Sequence, residues 1–383
     1  MPLRIGLFTH STNPRGGVVH CLELAEALAD LGHDVTVHAP AEAGRGFFRP
    51  PRRARHALIP AAAVIGDLRN LVWQRVGEHA AHLASHSRSF DVHHAHDGIT
   101  GNALADLGVR FVRTVHHLDP FADPWLAAAQ DRSVTAAAAH LVVGRLWQTE
   151  LRDRYGLTAA LVPSGVDTKR FSPGPVNVAL RRRWVGDRSP VFLAVGGVER
   201  RKNTVNLLRA FHRVRRSLPN AALLVVGGAT LLDHSAYRRD FDALDATGVT
   251  VTGPVSDDEM AAAYRLADAL AFPSVVEGFG LAVVEAMASG TPVVTSDIAP
   301  FTEYLRDGEA LRVDPLDVAA LADALVRATD PATAADLRAA GLAAVPRFGW
   351  PAAAAAHVAA YRELLLTGDH SHARDDVPRA LAR

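Results

Sequence analysis

Short β-branched runs alternate with alanine- and leucine-rich stretches along most of the chain, the pattern of parallel strands covered by helices on both faces. The opening shows one unit. "RIGLF" reads as a strand, "THSTNPRGG" as a glycine-ended loop, "VVHCLELAEALADLG" as an amphipathic helix closed by Gly32, and "HDVTVHAP" as the next strand. The arginine-, proline- and glycine-rich "AGRGFFRPPRRARHAL" that follows reads as a long loop. Strands resume at "FDVHHAH", "VRFVRTVHH", "AHLVVG" and "AALVPSGV". "DTKRFSPGPVNVALRRRWVGDRSP" then breaks the alternation with three prolines and a charge cluster, as an interdomain connection does. Beyond it "VFLAVGG", "AALLVVGG", "VTVTGPV", "ALAFPS", "PVVTSD" and "ALRVDP" read as strands. The helices between them are "NTVNLLRAFHRVRRSL", "SDDEMAAAYRLAD", "GLAVVEAMASG" and "PLDVAALADALVRA". The pattern predicts an α/β protein of two doubly wound, Rossmann-like domains in tandem, residues 1–170 and 171–346. A last helix within 347–366 is expected to pack back on the first domain, ahead of a polar tail at 367–383. Such sheets bind ligands beyond the carboxyl ends of their strands, so two facing domains place their sites on one cleft.

At 383 residues the chain exceeds one ordinary hydrophobic core, in agreement with two domains. Its 49% hydrophobic and 21% charged residues describe a soluble globular protein, and a formal net charge of +0 argues against sequence-independent nucleic-acid binding. Cys21 is the single cysteine and cannot form an intrachain disulfide. The N-terminus lacks a secretory pattern, and no run approaches the roughly 20 apolar residues of a spanning helix. A cytoplasmic location is expected, with any membrane contact peripheral, at the inner face. Lysine occurs only at Lys169 and Lys202. Where arginine is the default cation, a retained lysine marks a place where a compact point charge counts.

The nearly apolar run "VVEGFGLAVVEAMASGTPVV", residues 275–294, carries two acids, Glu277 and Glu285. Glu277 falls in the loop at the carboxyl end of "ALAFPS". A helix is predicted to start near Gly280 or Leu281 and to stop at Ser289-Gly290, which puts Glu285 about one turn inside it. The free N–H groups of that start, beside glycines that allow close approach, suit a phosphate or sugar hydroxyls. On spacing alone the pair also fits a solvated loop acid and a surface helix position.

The frame "SVVEGFGLAVVEAMASGTPVVTSD", with seven residues between the acids, resembles the E-x7-E signature of the family 4 retaining glycosyltransferases, which have the GT-B fold. "GGVVHCLELAEALADLGHDVTVHAP", "FDVHHAHDG", "RTVHHLDP", "LVPSGVDTKRFSP", "VFLAVGGVERRKNTVNLLRAF", "LLVVGG" and "VTGPVSDDEMAAAYRLADALAFPS" agree in order and spacing, so the resemblance runs from about residue 3 to residue 366. It implies transfer of a sugar, with retention, from a nucleotide-diphosphate donor to a small-molecule or lipid-linked acceptor by front-face attack. No cofactor and no obligatory metal are implied. By this resemblance Glu277 contacts the donor sugar near the reacting carbon and Glu285 holds the ribose hydroxyls, a task for which a carboxylate offers two acceptor oxygens. The backbone of Gly278, Phe279, Gly280 and Leu281 lies between them. Lys202 would clamp the diphosphate. Gly16 and Gly17 would approach it from across the cleft, and Gly228 and Val255 would complete the donor contacts. His116 in "RTVHH" would sit near the transferred sugar, with His117 as its competitor. One position departs from the family: an arginine commonly follows the glycine of "VGR", and here Gly197 stands there, in "VGGVERRKN". Arg201, in preference to Arg200, is expected to take over.

The cluster "DVHHAHD" invites a metal reading, but along a strand His94 and His96 share a face while His93 points away, so only two imidazoles converge without help from elsewhere. "GRGFFRPPRRAR" carries Arg45, Arg49, Arg52, Arg53 and Arg55 around Phe47 and Phe48. It reads as a solvated loop, or more sharply as a patch at 45–55 for an anionic acceptor or a lipid surface. A dinucleotide-dependent oxidoreductase fails on detail, because "LFTHSTNPRGG" lacks the G-x-G-x-x-G turn and the second strand lacks a terminal acid. A pyridoxal phosphate phosphorylase needs a Schiff-base lysine, and Lys202 has the wrong context. A non-catalytic nucleotide-sugar-binding or scaffolding protein would keep the same binding residues.

Overall fold

Strands that are apolar at successive positions must be covered on both faces, which is why such runs build parallel sheets inside layers of helices. Val191, Phe192 and Leu193 in succession are fully buried, as are Leu224, Val225 and Val226. The computed structural model describes residues 1–86, 89–228 and 234–366. The tail expected at 367–383 lies outside the described residues.

Two parallel sheets result. The first comprises β1 (Arg4–Phe8), β2 (Asp34–Ala41), β3 (Arg55–Pro60), β4 (Val92–Ala95), β5 (Val112–Val115), β6 (Ala139–Val142) and β7 (Ala160–Leu161), in the order β3-β2-β1-β4-β5-β6-β7. The second comprises β8 (Val191–Val195), β9 (Ala222–Val226), β10 (Val249–Gly253), β11 (Ala269–Phe272), β12 (Val293–Ser296) and β13 (Leu311–Val313), in the order β10-β9-β8-β11-β12-β13. Around the first lie α1 (Gly16–Asp30), α2 (Leu68–His86), α3 (Gly98–Asp106), α4 (Pro124–Thr135) and α5 (Arg145–Tyr155). The linker holds α6 (Val178–Trp184). The second half adds α7 (Thr204–Ser217), α8 (Ser235–Asp242), α9 (Asp257–Leu266), α10 (Leu281–Ala288), α11 (Phe301–Tyr304), α12 (Val318–Arg327) and α13 (Pro331–Ala344), before the final α14 (Trp350–Leu366).

Two segments differ from the sequence expectation. The stretch read as a long loop ends in β3, an edge strand in which Ile59 alone is buried, so its apolar signal is faint. The linker, read only as an interdomain connection, contains α6, whose start Asn177 caps by accepting from Leu180 N.

Strand order reverses between β1 and β4 in one sheet and between β8 and β11 in the other. Open α/β sheets bind ligands in the crevices at such reversals. The loops there carry His10 to Arg15 and His96-Asp97 in the first half, and Gly196 to Lys202 and Pro273 to Gly280 in the second. A shared apolar cluster joins the halves, with Val143 and Trp147 packed in the same core as Phe279, Val283 and Phe348. The chain end crosses back: Trp350, Ala354, Val358 and Tyr361 of α14 are buried with Leu24 and Leu28 of α1.

Candidate active site

Beyond β8 the backbone reverses through Gly196 and Gly197, at φ 113° and 78°, into a tight turn at Arg200–Lys202. Beyond β11 the chain passes Ser274 and Glu277. The two loops are tied together, Val275 N donating to Arg201 O at 2.9 Å. Glu277, 7% exposed, is bound by Lys202 Nζ through Oε1. The same oxygen accepts from Arg201 Nη1 and from Ser274 Oγ, each at 3.2 Å. Arg201 Nε also reaches Glu199 Oε2 at 3.2 Å, and Lys202 Nζ stands 4.3 Å from the Phe272 ring centroid.

Burial alone would favour the neutral acid, but Lys202 and Arg201 outweigh it and hold the Glu277 carboxyl below its usual range. Lys202 is less well served. Its burial, only partly offset by Glu277 and reinforced by the neighbouring guanidinium, pulls the ammonium down to about 8. Lys202 and Arg201 share one carboxylate oxygen, and a bound anion would give the two cations a second partner.

Gly197 has a steric reason to be glycine. A Cβ there would sit 2.8 Å from Gly228 N, closer still to Gly228 Cα, on a backbone at φ 78°. The arginine usual at this position has no room. Arg200 turns away and lies over the Tyr237 ring, 5.3 Å from its centroid, whereas Arg201 reaches Glu277.

Across the cleft, a Cβ on Gly278 would collide with the His116 carbonyl oxygen, so the glycine turn and the end of β5 meet at this point. Trp147 Nε1 donates to Gly278 O at 3.3 Å from the same side. Gly280, at φ 86°, directly precedes α10, and a Cβ there would stand 2.5 Å from Phe301 Cε1. The Phe279 side chain is buried against Tyr304 and Phe348, which leaves its backbone as the part able to meet a ligand. His116 is half-buried beside the glycine loop: a Cβ on Gly17 would lie 3.4 Å from its Cδ2, while Gly16 faces open space. His117 is exposed, 3.5 Å from Asp119 Oδ2.

Glu285 is no solvated surface position. Tyr264 Oη donates to its Oε2 at 2.7 Å, and burial, with Glu23 and Asp257 nearby, pushes its carboxyl up to about 7. Those acids belong to a network between the halves. Arg49 reaches Glu23 Oε1 at 2.7 Å and Asp257 Oδ2 at 3.3 Å, and Arg170 reaches the same Glu23 oxygen at 3.0 Å. Gly228 lines a cavity of about 480 Å³ with Val198, Gly227, Arg238, Val251 and Gly253, beyond the carboxyl ends of β9 and β10. Val255, half-buried, packs on the shared core.

In the 45–55 loop Arg45, Arg52, Arg53 and Arg55 are exposed, Arg45 3.6 Å from Glu42 and Arg53 and Arg55 paired with Asp30 and Asp34, while Arg49 holds the interdomain network and Phe47 is buried. In "DVHHAHD", His94 does not converge with His96 on an open site. Its ring nitrogens are taken by Tyr361 Oη and Thr114 Oγ1, both at 2.7 Å, while Asp97 caps α3 by accepting from Thr100 N at 2.9 Å. Sequence reasoning passed over Glu199, Ser274, Tyr264 and the Glu23–Arg49–Asp257 network. Ser274 alone had a local signal, three residues before Glu277 at the same strand end.

Residues 14–170 match the family described as Glycosyltransferase Family 4, and residues 189–330 match Glycosyl transferases group 1. A phosphatidyl-myo-inositol mannosyltransferase of Mycobacterium tuberculosis is 31% identical over 387 residues, covering 96% of this chain and 98% of that protein. A D-inositol 3-phosphate glycosyltransferase of Acidothermus cellulolyticus is 29% identical over 411 residues, covering 95% and 91%. Among solved structures, sucrose-phosphate synthase from Thermosynechococcus elongatus superposes with a TM-score of 0.78 at 25% identity, covering 95% of this chain and 100% of that one. The two facing parallel sheets are the GT-B arrangement. Matched in order through both halves, and aligned with an enzyme relative along nearly its whole length, the chain belongs to the family 4 glycosyltransferases.

Proposed function

We propose that this glycosyltransferase moves a sugar, with retention of configuration, from a nucleotide-diphosphate sugar to an inositol-bearing acceptor, either soluble or lipid-linked. The observation that carries the donor half is the shared carboxylate: Lys202 and Arg201 converge on Glu277 at a strand-order reversal, beside the glycine turn that leads into α10. A diphosphate placed there meets Lys202, Arg201 and the α10 start, while Glu285 lies further along the helix for the ribose. His116 and Gly17 close the sugar side. The two relatives named above, both inositol-directed by name, support the acceptor class.

In front-face attack the bond from the sugar carbon to the diphosphate oxygen breaks and a bond to the acceptor oxygen forms on the same face. The acceptor proton passes to the departing diphosphate. Lys202 and Arg201 stabilise the charge growing on that leaving group, an electrostatic role that needs no metal in the reaction. Glu277 holds both cations in place and faces the sugar. Among the described residues no helix is long and apolar enough to cross a membrane, so a lipid-linked acceptor would be met from the bilayer surface.

A thermal-shift screen with UDP-, GDP- and ADP-sugars identifies the donor, since a ligand at 100 times its dissociation constant adds roughly 2.7 kcal/mol. Transfer to inositol, inositol phosphate and phosphatidylinositol vesicles, with the anomeric configuration read by NMR, tests the rest. Donor binding without transfer to any acceptor would leave a nucleotide-sugar-binding protein; a product of inverted configuration would reject the front-face route.

A further inference from the structure

Three imidazoles from separate elements converge at the floor of the cleft: His20 of α1, His96 just beyond β4 and His116 just beyond β5. One ring nitrogen of each lies within 4.8 Å of the other two. His20 and His96 are buried, 1% and 3% exposed, and the Nε2 of each lacks a hydrogen-bond partner. A buried polar atom without a partner is rare in a folded protein, so the free Nε2 of His20, whose other nitrogen is taken, calls for a ligand. His20 Nδ1 is held by Ser164 Oγ at 2.9 Å, the kind of outer contact that fixes a ligating imidazole with its other nitrogen free.

His96 Nδ1 and His116 Nε2 stand 3.4 Å apart, long for a hydrogen bond. Two imidazole nitrogens bound at about 2.0–2.1 Å to one tetrahedral zinc ion are separated by about that distance. All three imidazoles are held well below the usual histidine range, by burial first and then by neighbouring histidines, so they offer neutral lone pairs. Among the described residues no carboxylate joins the trio, and His116 is the member beside the glycine loop.

We propose that His20, His96 and His116 form a site for a borderline divalent transition ion of the zinc class, with a fourth ligand from the cleft, and that filling it stops transfer by drawing His116 away from the sugar. The inhibitory half rests on the glycosyltransferase reading; the binding half does not.

The test titrates the metal-stripped, full-length protein with Co2+ and reads the visible bands of four-coordinate cobalt. One equivalent saturates the wild type, Zn2+ displaces it, and His20→Gln and His96→Gln each bind at least about tenfold more weakly. His117→Gln, just outside the trio, retains wild-type binding. Absence of the bands in the wild type, or bands unchanged in both variants, overturns the site. In parallel, Zn2+ inhibits transfer reversibly, EDTA restores it, and His96→Gln raises the inhibitory concentration at least tenfold. Cobalt binding with no zinc inhibition of an active enzyme removes the inhibitory half. Cobalt binding in a protein that transfers no sugar would reject the proposed reaction and leave the metal site standing.

Discussion

Glu277 is the residue on which the proposed donor site turns, because its Oε1 gathers Lys202, Arg201 and Ser274. Glu277→Gln removes the negative charge and leaves both cations in place. The expected result is a fall in kcat of about 10²–10³, the scale of losing one electrostatic contact at a reacting centre. Affinity for the nucleoside diphosphate should hold or tighten, since the phosphate no longer competes with a carboxylate for the same two cations. Initial rates and titration calorimetry separate the two quantities; parallel losses in both would place the acid on the nucleotide and away from the sugar. At this scale Glu277 and Lys202 stood out because acids and lysines are conspicuous where apolar runs and arginine prevail, whereas Arg201 was named only through the family resemblance. The sequence could not show why Gly197 replaces an arginine, since the obstacle is the backbone of Gly228, which only folding brings near.

Among the elements, β11 and α10 were legible because their signals are local: an apolar strand, a glycine turn, an apolar helix and a Ser-Gly stop. β3 was not, because an edge strand with only Ile59 buried carries little of the alternation that marks a strand. α14 belongs energetically with the first half, where Trp350 packs against Gly165 so closely that a Cβ there would lie 2.7 Å from the indole. Trp350→Ala should therefore cost about 3–5 kcal/mol, as large aromatic truncations in packed cores do. Ala355→Ser, on the exposed face of the same helix, should stay within about 0.5 kcal/mol. Urea denaturation followed by circular dichroism distinguishes them; equal midpoints for the two variants would mean that α14 is not part of the cooperative core.

Across the whole molecule the donor would lie between two groups that titrate near neutrality in opposite senses. Glu285 is faced by Tyr264 on its hydrogen-bonded side and by Glu23, Arg49 and Asp257 from α1, the loop between β2 and β3, and α9, and its pKa stands at about 7. Holding two ribose hydroxyls requires the carboxylate. Below about 7 the free protein must release a proton to bind donor, so affinity rises with pH by up to about tenfold per unit and then levels. Lys202 stands at about 8, and holding the diphosphate requires the ammonium. Above that pH binding takes up a proton and affinity falls again. A nucleotide-diphosphate sugar has no phosphate group ionising in this window, so the two limbs report the protein. Calorimetry from about pH 5.5 to 9 should give an optimum between the two pKa values. Glu285→Gln should flatten the acid limb, and Lys202→Arg should move the alkaline limb beyond the range. The sequence supplied both titrating residues, but the Glu285 shift depends on Glu23 and Asp257, which lie far away along the chain. An acid limb unchanged in Glu285→Gln would assign the ribose to another residue.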